Sequence, residues 1–194
     1  MQEAQYQKQE LAVSASEANA QSLLLVAPVL LLYVIPYLLL WPEQFKLHAL
    51  EGFIKENNVR SLLFPLVMLL VFIAGAVVHE LLHGLTWAAF CKQGLRSIKY
   101  GMHWKQLSPY CHCKELLPLK AYVLGTVMPG LVLGLIPALV GLLLGQLMLF
   151  LFGLCFTLAA ASDFLGLWSL RHAKATDLVQ DHPEKIGCLI YRKL

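Results

Sequence analysis

Two histidines four residues apart, with a glutamate beside the first, are the side chains in this sequence best suited to chemistry: His79-Glu80-Leu81-Leu82-His83. On a helix, positions i and i+4 stand on one face, a turn apart. His79 and His83 can therefore ligate one zinc ion (Zn2+). Glu80, one position round, can then take a proton from water that the ion activates. The flanking residues are apolar, no proline interrupts them, and Gly84 follows directly. The competing reading is two histidines packed on a membrane helix with a glutamate partner. Buried ionisable groups are too costly in a membrane to be kept without a purpose.

Two imidazoles do not complete a catalytic zinc site, which takes three protein ligands and keeps one position open. The candidates for the third are Asp163, His103, His112, Glu115, Cys111, Cys113 and His182. Peptide hydrolysis at such a site also needs a donor for the tetrahedral oxyanion. His112, Tyr110 and His103 are the candidates for that contact or for contacts to substrate, and the sequence does not choose among them.

The elements that must position these residues are membrane helices. The chain has 194 residues, 58% of them hydrophobic and 14% charged, with a mean hydropathy of +0.64. That is the composition of a membrane protein, and the length suits one domain over residues 1–194. The net charge of +3 and the lack of a basic block argue against nucleic acid as a partner. Five cysteines, an odd number without secreted-type spacing, do not suggest a disulfide framework. Residues 1–20 read as a polar tail, with no cleavable signal peptide.

The expected fold is all-α, with about four transmembrane helices: residues 22–41, 61–90, 121–144 and 147–170. Residues 42–60 form a short polar loop, partly helical. The 92–120 segment is a loop or partly inserted flap on the cytoplasmic side, with a short β-hairpin formed by 97–104 and 107–113. Residues 171–194 read as a polar tail with a turn at Asp181-His182-Pro183 and a short surface strand near Cys188. Met128-Pro129-Gly130 either opens the backbone or kinks the third span. Gly130 and Gly134, then Gly141 and Gly145, have the spacing that permits close helix approach.

Depth favours Asp163 as the third ligand. At roughly 1.5 Å per residue, His79 lies about 27 Å along its span and Asp163 about 24 Å along its own. Both spans enter from the outer side, so the two residues come to one level. Asp163 and Glu80 are also the acidic residues inside the four spans, and a lone intramembrane aspartate needs a partner. His112 and Glu115 follow as alternatives. Most lysines and arginines fall in 1–20, 92–120 and 171–194, against Lys46, Lys55 and Arg60 on the other side. The positive-inside rule then gives a multi-pass cell-membrane protein with both termini cytoplasmic.

His79-Glu80-Leu81-Leu82-His83-Gly84, Ser108-Pro109-Tyr110-Cys111-His112-Cys113-Lys114-Glu115, Met128-Pro129-Gly130, Ala160-Ala161-Ser162-Asp163 and Asp181-His182-Pro183 follow in this order. Together they resemble the Putative zincin peptidase family of small multi-pass bacterial membrane proteins, over about residues 62–190. The resemblance implies a metalloprotease. A more distant similarity is to site-two-type intramembrane proteases, which implies His79, His83 and Asp163 as ligands and Glu80 as base. The chain departs from that pattern, with Ser-Asp-Phe in place of an Asp-Gly pair and no Asn-Pro element. The function expected is zinc-dependent hydrolysis of peptide bonds in a membrane or membrane-adjacent protein, with the lipid bilayer as surroundings. A metal transporter or sensor and a non-catalytic membrane scaffold are the other readings.

Overall fold

The structure is a computed structural model and describes residues 6–45, 58–104, 108–183 and 185–193. Most of the expected 42–60 loop, with Lys46 and Lys55, and also Leu107 of the expected hairpin, lie outside the described residues. The chain begins with strand β1 (Tyr6–Val13), which passes directly into helix α1 (Ala15–Leu40). A capping box fixes that junction. The Ser14 side chain accepts from the Glu17 amide at 3.3 Å, and the Glu17 carboxylate accepts from the Ser14 amide at 2.9 Å. After a 3-10 turn (Pro42–Phe45) comes helix α2 (Asn58–Ala88), which carries the motif in its last third. It ends two residues earlier than expected. A second 3-10 turn (Gly94–Ser97) then leads into the hairpin of β2 (Ile98–His103) and β3 (Ser108–Cys113).

The third expected span is one rod in three parts: α3 (Leu119–Pro129), a π-helical turn (Gly130–Leu135) and α4 (Ile136–Leu144), preceded by the two-residue strand β4 (Leu117–Pro118). Gly145 ends α4 in the left-handed conformation, φ +66°, the usual use of glycine past a helix end. It lies against the Trp41 ring rather than serving as a close-approach glycine. Gly134 does serve so: a Cβ there would come within 3.1 Å of the Thr157 backbone. Gly141 likewise takes up the backbone of Phe150. The fourth span is broken. Helices α5 (Leu147–Ala159) and α6 (Ala161–Ser169) meet at a 40° bend. Strands β5 (Leu178–Asp181) and β6 (Ile186–Lys193) end the chain.

The expectation of an all-α protein is therefore corrected: the fold is mixed, with two antiparallel sheets. β2 and β3 pair as one. The other has four strands in the order β1-β6-β5-β4. Residues 1–20, read as a polar tail, contain β1, whose Tyr6 to Val13 pair in register with Lys193 to Ile186 of β6. The C-terminal segment is not a surface strand either. Cys188, Ile190 and Val179 are fully buried and pack with Leu117, Cys113 and Trp87. β1 precedes α1, β2 follows α2, β4 precedes α3 and β5 follows α6, so all six strands gather at one end of the helices. At the other end the Trp41 indole N–H donates to Leu142 O at 2.8 Å, and the Gln44 amide donates to Gly145 O at 2.7 Å.

Three helical stretches, Ser16–Leu40, Leu63–Ala88 and Leu119–Leu144, are long and apolar enough to cross a membrane. The bent α5–α6 pair makes a fourth if it counts as one span. Leu24, Leu39 and Leu143 are each about three-quarters exposed, an apolar surface suited to lipid rather than water. The chain is associated with a membrane.

Candidate active site

The site forms where the last third of α2 meets α3 and α6. The helical register brings His79 and His83 to one side, with ring centroids 4.9 Å apart. The bend after α5 turns α6 so that Asp163, in its first turn, meets both. The Asp163 Oδ2 lies 3.1 Å from His79 Nε2 and 3.5 Å from His83 Nε2. Among the described residues these three form a group whose donor atoms lie within 4.8 Å of one another.

The tautomer of His83 is readable. Its Nδ1 is 2.9 Å from Gly125 O. A carbonyl can only accept, so Nδ1 carries a proton, and in the neutral ring Nε2 turns its lone pair toward the Asp163 carboxylate. Across 3.5 Å the neutral ring and the carboxylate can share one cation as donors. Two imidazole nitrogens and a carboxylate oxygen are a donor set that suits Zn2+, so the residues fit a metal. The bond to Gly125 O is the kind that orients a metal-binding histidine from behind.

Packing holds this arrangement. Trp87 stacks on His83 with centroids 5.2 Å apart and on Tyr122 at 5.5 Å, while its indole N–H donates to Tyr122 O at 3.1 Å. Trp87 is thus buried inside the protein, 4% exposed. A Cβ on Gly125 would collide with the indole, so glycine is what lets α3 approach closely enough to offer its carbonyl.

A cleft of about 430 Å³ opens beside the three donors. Glu80 and His83 line it from α2, and His103, Tyr110, Cys111 and His112 line it from the hairpin. Tyr122, Ser162, Asp163, Asp181 and His182 complete the wall. His103 and Tyr110 pack ring to ring at 4.5 Å. His112 is tied through Nδ1 to the Asp181 carboxylate at 3.1 Å, which leaves its other ring nitrogen for the cleft. The Tyr122 hydroxyl donates to the second Asp181 oxygen at 3.4 Å. Burial pushes the Asp181 carboxyl above the ordinary carboxylate range, against the opposing pull of His112.

Among the described residues no other third-ligand candidate joins the three-donor group, although His103, Cys111, His112 and His182 line the cleft beside it. Glu115 caps the turn after α2, accepting from the Ser97 hydroxyl and the amides of Lys92 and Gln93. Cys113 is buried with its sulfur 3.5 Å from that of Cys91. Burial pushes the Cys111 thiol up. His182 sits 3.4 Å from Glu10 at the rim. Sequence reasoning missed Asp181 and Tyr122 as site residues. Asp181 was visible as part of a turn signal and of the last block of the resemblance, but neither placed it against His112, 69 positions away.

Searches of the curated proteins and of the solved structures find no match to this chain. A family model does match, over residues 72–178, a span that includes the motif, the hairpin and Asp163 and stops short of Asp181. On that match, the chain belongs to the Putative zincin peptidase family.

Proposed function

We propose that this protein is a zinc-dependent membrane metallopeptidase that hydrolyses peptide bonds of a membrane or membrane-adjacent protein. The observation that carries the reading is the convergence of His79 Nε2, His83 Nε2 and the Asp163 carboxylate. With Nδ1 donating to Gly125 O, the neutral His83 ring offers its Nε2 lone pair to the same point. These three residues would hold the ion, which supplies Lewis acidity toward a carbonyl and toward water. Glu80 lines the same cleft. It takes a proton from the attacking water and passes it to the leaving nitrogen. His112, held through Nδ1 by Asp181, donates an Nε2 proton to the developing oxyanion; this requires the imidazolium form, or the shared Nδ1 proton resting on Asp181. His103 and Tyr110 contact the substrate from the hairpin. The chain crosses the membrane several times, with both termini on the cytoplasmic side. The basic residues of the sequence support that orientation, which would put the cleft toward the cytoplasmic end.

The test is metal content and proteolysis of the detergent-purified protein. Wild type, His112→Ala and Glu80→Gln should each carry about one zinc per chain, and Asp163→Ala should not. Glu80→Gln should lose hydrolysis while keeping the metal. Zinc lost with Glu80→Gln would make Glu80 a ligand rather than the base. Wild type that takes up no zinc would turn the reading to a scaffold, and zinc moved across vesicle membranes without proteolysis would turn it to a transporter.

A further inference from the structure

The cleft does not end at the metal donors. Ser162, Gly166 and Ile186 line both it and a second recess of about 270 Å³. Leu11 and Val13 of β1 form one wall of that recess and Leu165 of α6 another. Its charged residue, Glu10, is already paired, 2.7 Å from Lys185 and 3.4 Å from His182. Gln21, Ser162 and Ser169 also line it, Ser169 donating to Gly166 O at 2.6 Å, but Leu11, Val13, Leu165 and Ile186 make its wall mainly apolar and a host for an apolar group. For scale, a buried apolar cavity of about 150 Å³ accepts a benzene ring.

Gly166 stands at the junction. It lies inside α6, where glycine is among the poorest helix formers, yet a Cβ there would meet nothing within 4 Å. Packing among the described residues does not call for glycine at this position. A chain crossing from one recess to the other would, because glycine lets a ligand pass close to the helix backbone. The distances suit a polypeptide. At about 1.5 Å per residue, Gly166 lies about 4.5 Å and Ser169 about 9 Å along α6 from Asp163. An extended chain at about 3.3 Å per residue covers that length in one to three residues.

We propose that the second recess is a substrate subsite. The polypeptide lies extended from the metal donors across Gly166 and seats an apolar side chain, from a residue flanking the scissile bond, between β1 and α6. This rests on the peptidase reading above and deepens it: the N-terminal strand becomes part of the specificity machinery.

The experiment uses full-length, zinc-loaded protein in detergent and hydroxamates as metal-directed probes. Each probe carries one glycine, leucine or phenylalanine residue, on either the amino or the carboxyl side of the hydroxamate. In one of the two series, leucine or phenylalanine should bind about tenfold or more tightly than glycine. Gly166→Leu should remove that gain while the zinc and the thermal stability stay as in wild type. Leu165→Ala, which enlarges the recess, should shift preference from leucine toward phenylalanine. Zinc and the glycine probe bound normally, but no side-chain gain or a gain untouched by Gly166→Leu, would overturn the subsite and leave the peptidase reading standing. No zinc in the wild type would overturn both.

Discussion

Gly84 follows the second histidine directly, and the structure gives it a definite task. A Cβ at this position would collide with the Tyr100 hydroxyl and would stand 2.6 Å from Tyr100 Cζ and 2.7 Å from Ile98 Cγ2. The glycine is what lets β2 lie flat on the helix that carries the motif. Restoring an ordinary 3.4 Å contact in Gly84→Ala requires a shift of about 0.7 Å at Ile98 Cγ2 and a larger one at the Tyr100 ring, taken up by the ring and the hairpin together. Overpacking of this kind costs about 1–3 kcal/mol. Replacing glycine inside a helix returns about 0.8–1 kcal/mol. The net loss is about 0–2 kcal/mol, and for a chain of this size each kcal/mol moves the unfolding midpoint by about 2–4 °C. Catalysis should suffer far more, because β3 brings His112 to the cleft, and a misplacement near 1 Å costs about a hundredfold in rate. Zinc content should not change. The assay pairs unfolding midpoints in detergent with hydrolysis of fluorescein-labelled casein, for Gly84→Ala, Tyr100→Ala and the double variant. Removing the Tyr100 ring vacates most of the space, so the double variant should be less damaged than the sum of the singles, by about 1 kcal/mol. Additive losses, or full activity in Gly84→Ala, would refute the claim that hairpin contact at Gly84 sets the cleft.

The Ser97 hydroxyl, and after it the amides of Lys92 and Gln93, hold the Glu115 carboxylate below its ordinary value of 4.5. A carboxylate whose native pKa is depressed adds stability above its unfolded value and loses it as pH falls through the native one. Glu115→Gln should therefore unfold at a lower temperature than wild type at pH 7, with the gap closing as pH drops below 4.5. A gap that persists at pH 3 would point to packing rather than charge. Burial first of all pushes the Cys113 and Cys188 thiols up to about 12. At pH 8, iodoacetamide should leave both unmodified in the native protein while the half-buried Cys91 reacts, and all should react in SDS. Mass spectrometry that finds Cys113 alkylated natively at the rate of Cys91 would contradict the buried placement of β3.

The helices were legible because hydropathy and spacing are local signals. The i, i+4 histidines declare one helix face, and the even depth of His79 and Asp163 follows from residue counting. The β2–β3 hairpin was legible too, but the four-stranded sheet was not. β1 reads Tyr-Gln-Lys-Gln-Glu-Leu-Ala-Val and is exposed over most of its length, so it lacks the alternation that betrays a half-buried strand. Its partner lies at the far end of the chain, and a ladder of backbone bonds leaves no pattern in the side chains. Its boundary did carry a sign, Ser14-Ala15-Ser16-Glu17, which is a capping box. The break after Ala159 was hidden because both halves of the span are apolar. The α6 turn that delivers Asp163 therefore rests on a bend that composition cannot show.

The hairpin was expected as a flap over the motif, and its outer edge makes it more than a cover. Successive amides of a strand point to opposite edges, so those of Cys111 and Cys113 share the edge turned away from β2. The Cys111 N–H faces the Glu80 carboxylate and the Cys113 N–H faces that of Asp181. Two residues of extended chain span about 6.8 Å, and one rigid strand thereby sets the spacing of the two carboxylates. One belongs to the proposed general base and the other orients the proposed oxyanion contact, His112. Glu80 comes from α2 and Asp181 from β5, with no covalent link closer than a hundred residues. A site assembled from helix ends alone would leave that spacing to the slow breathing of the bundle. Pinning both groups to one strand edge couples their positions, so whatever moves β3 moves the base and the oxyanion contact together. That coupling is why a single methyl group on Gly84, which touches neither, is expected to silence the cleft while the metal donors stay in place.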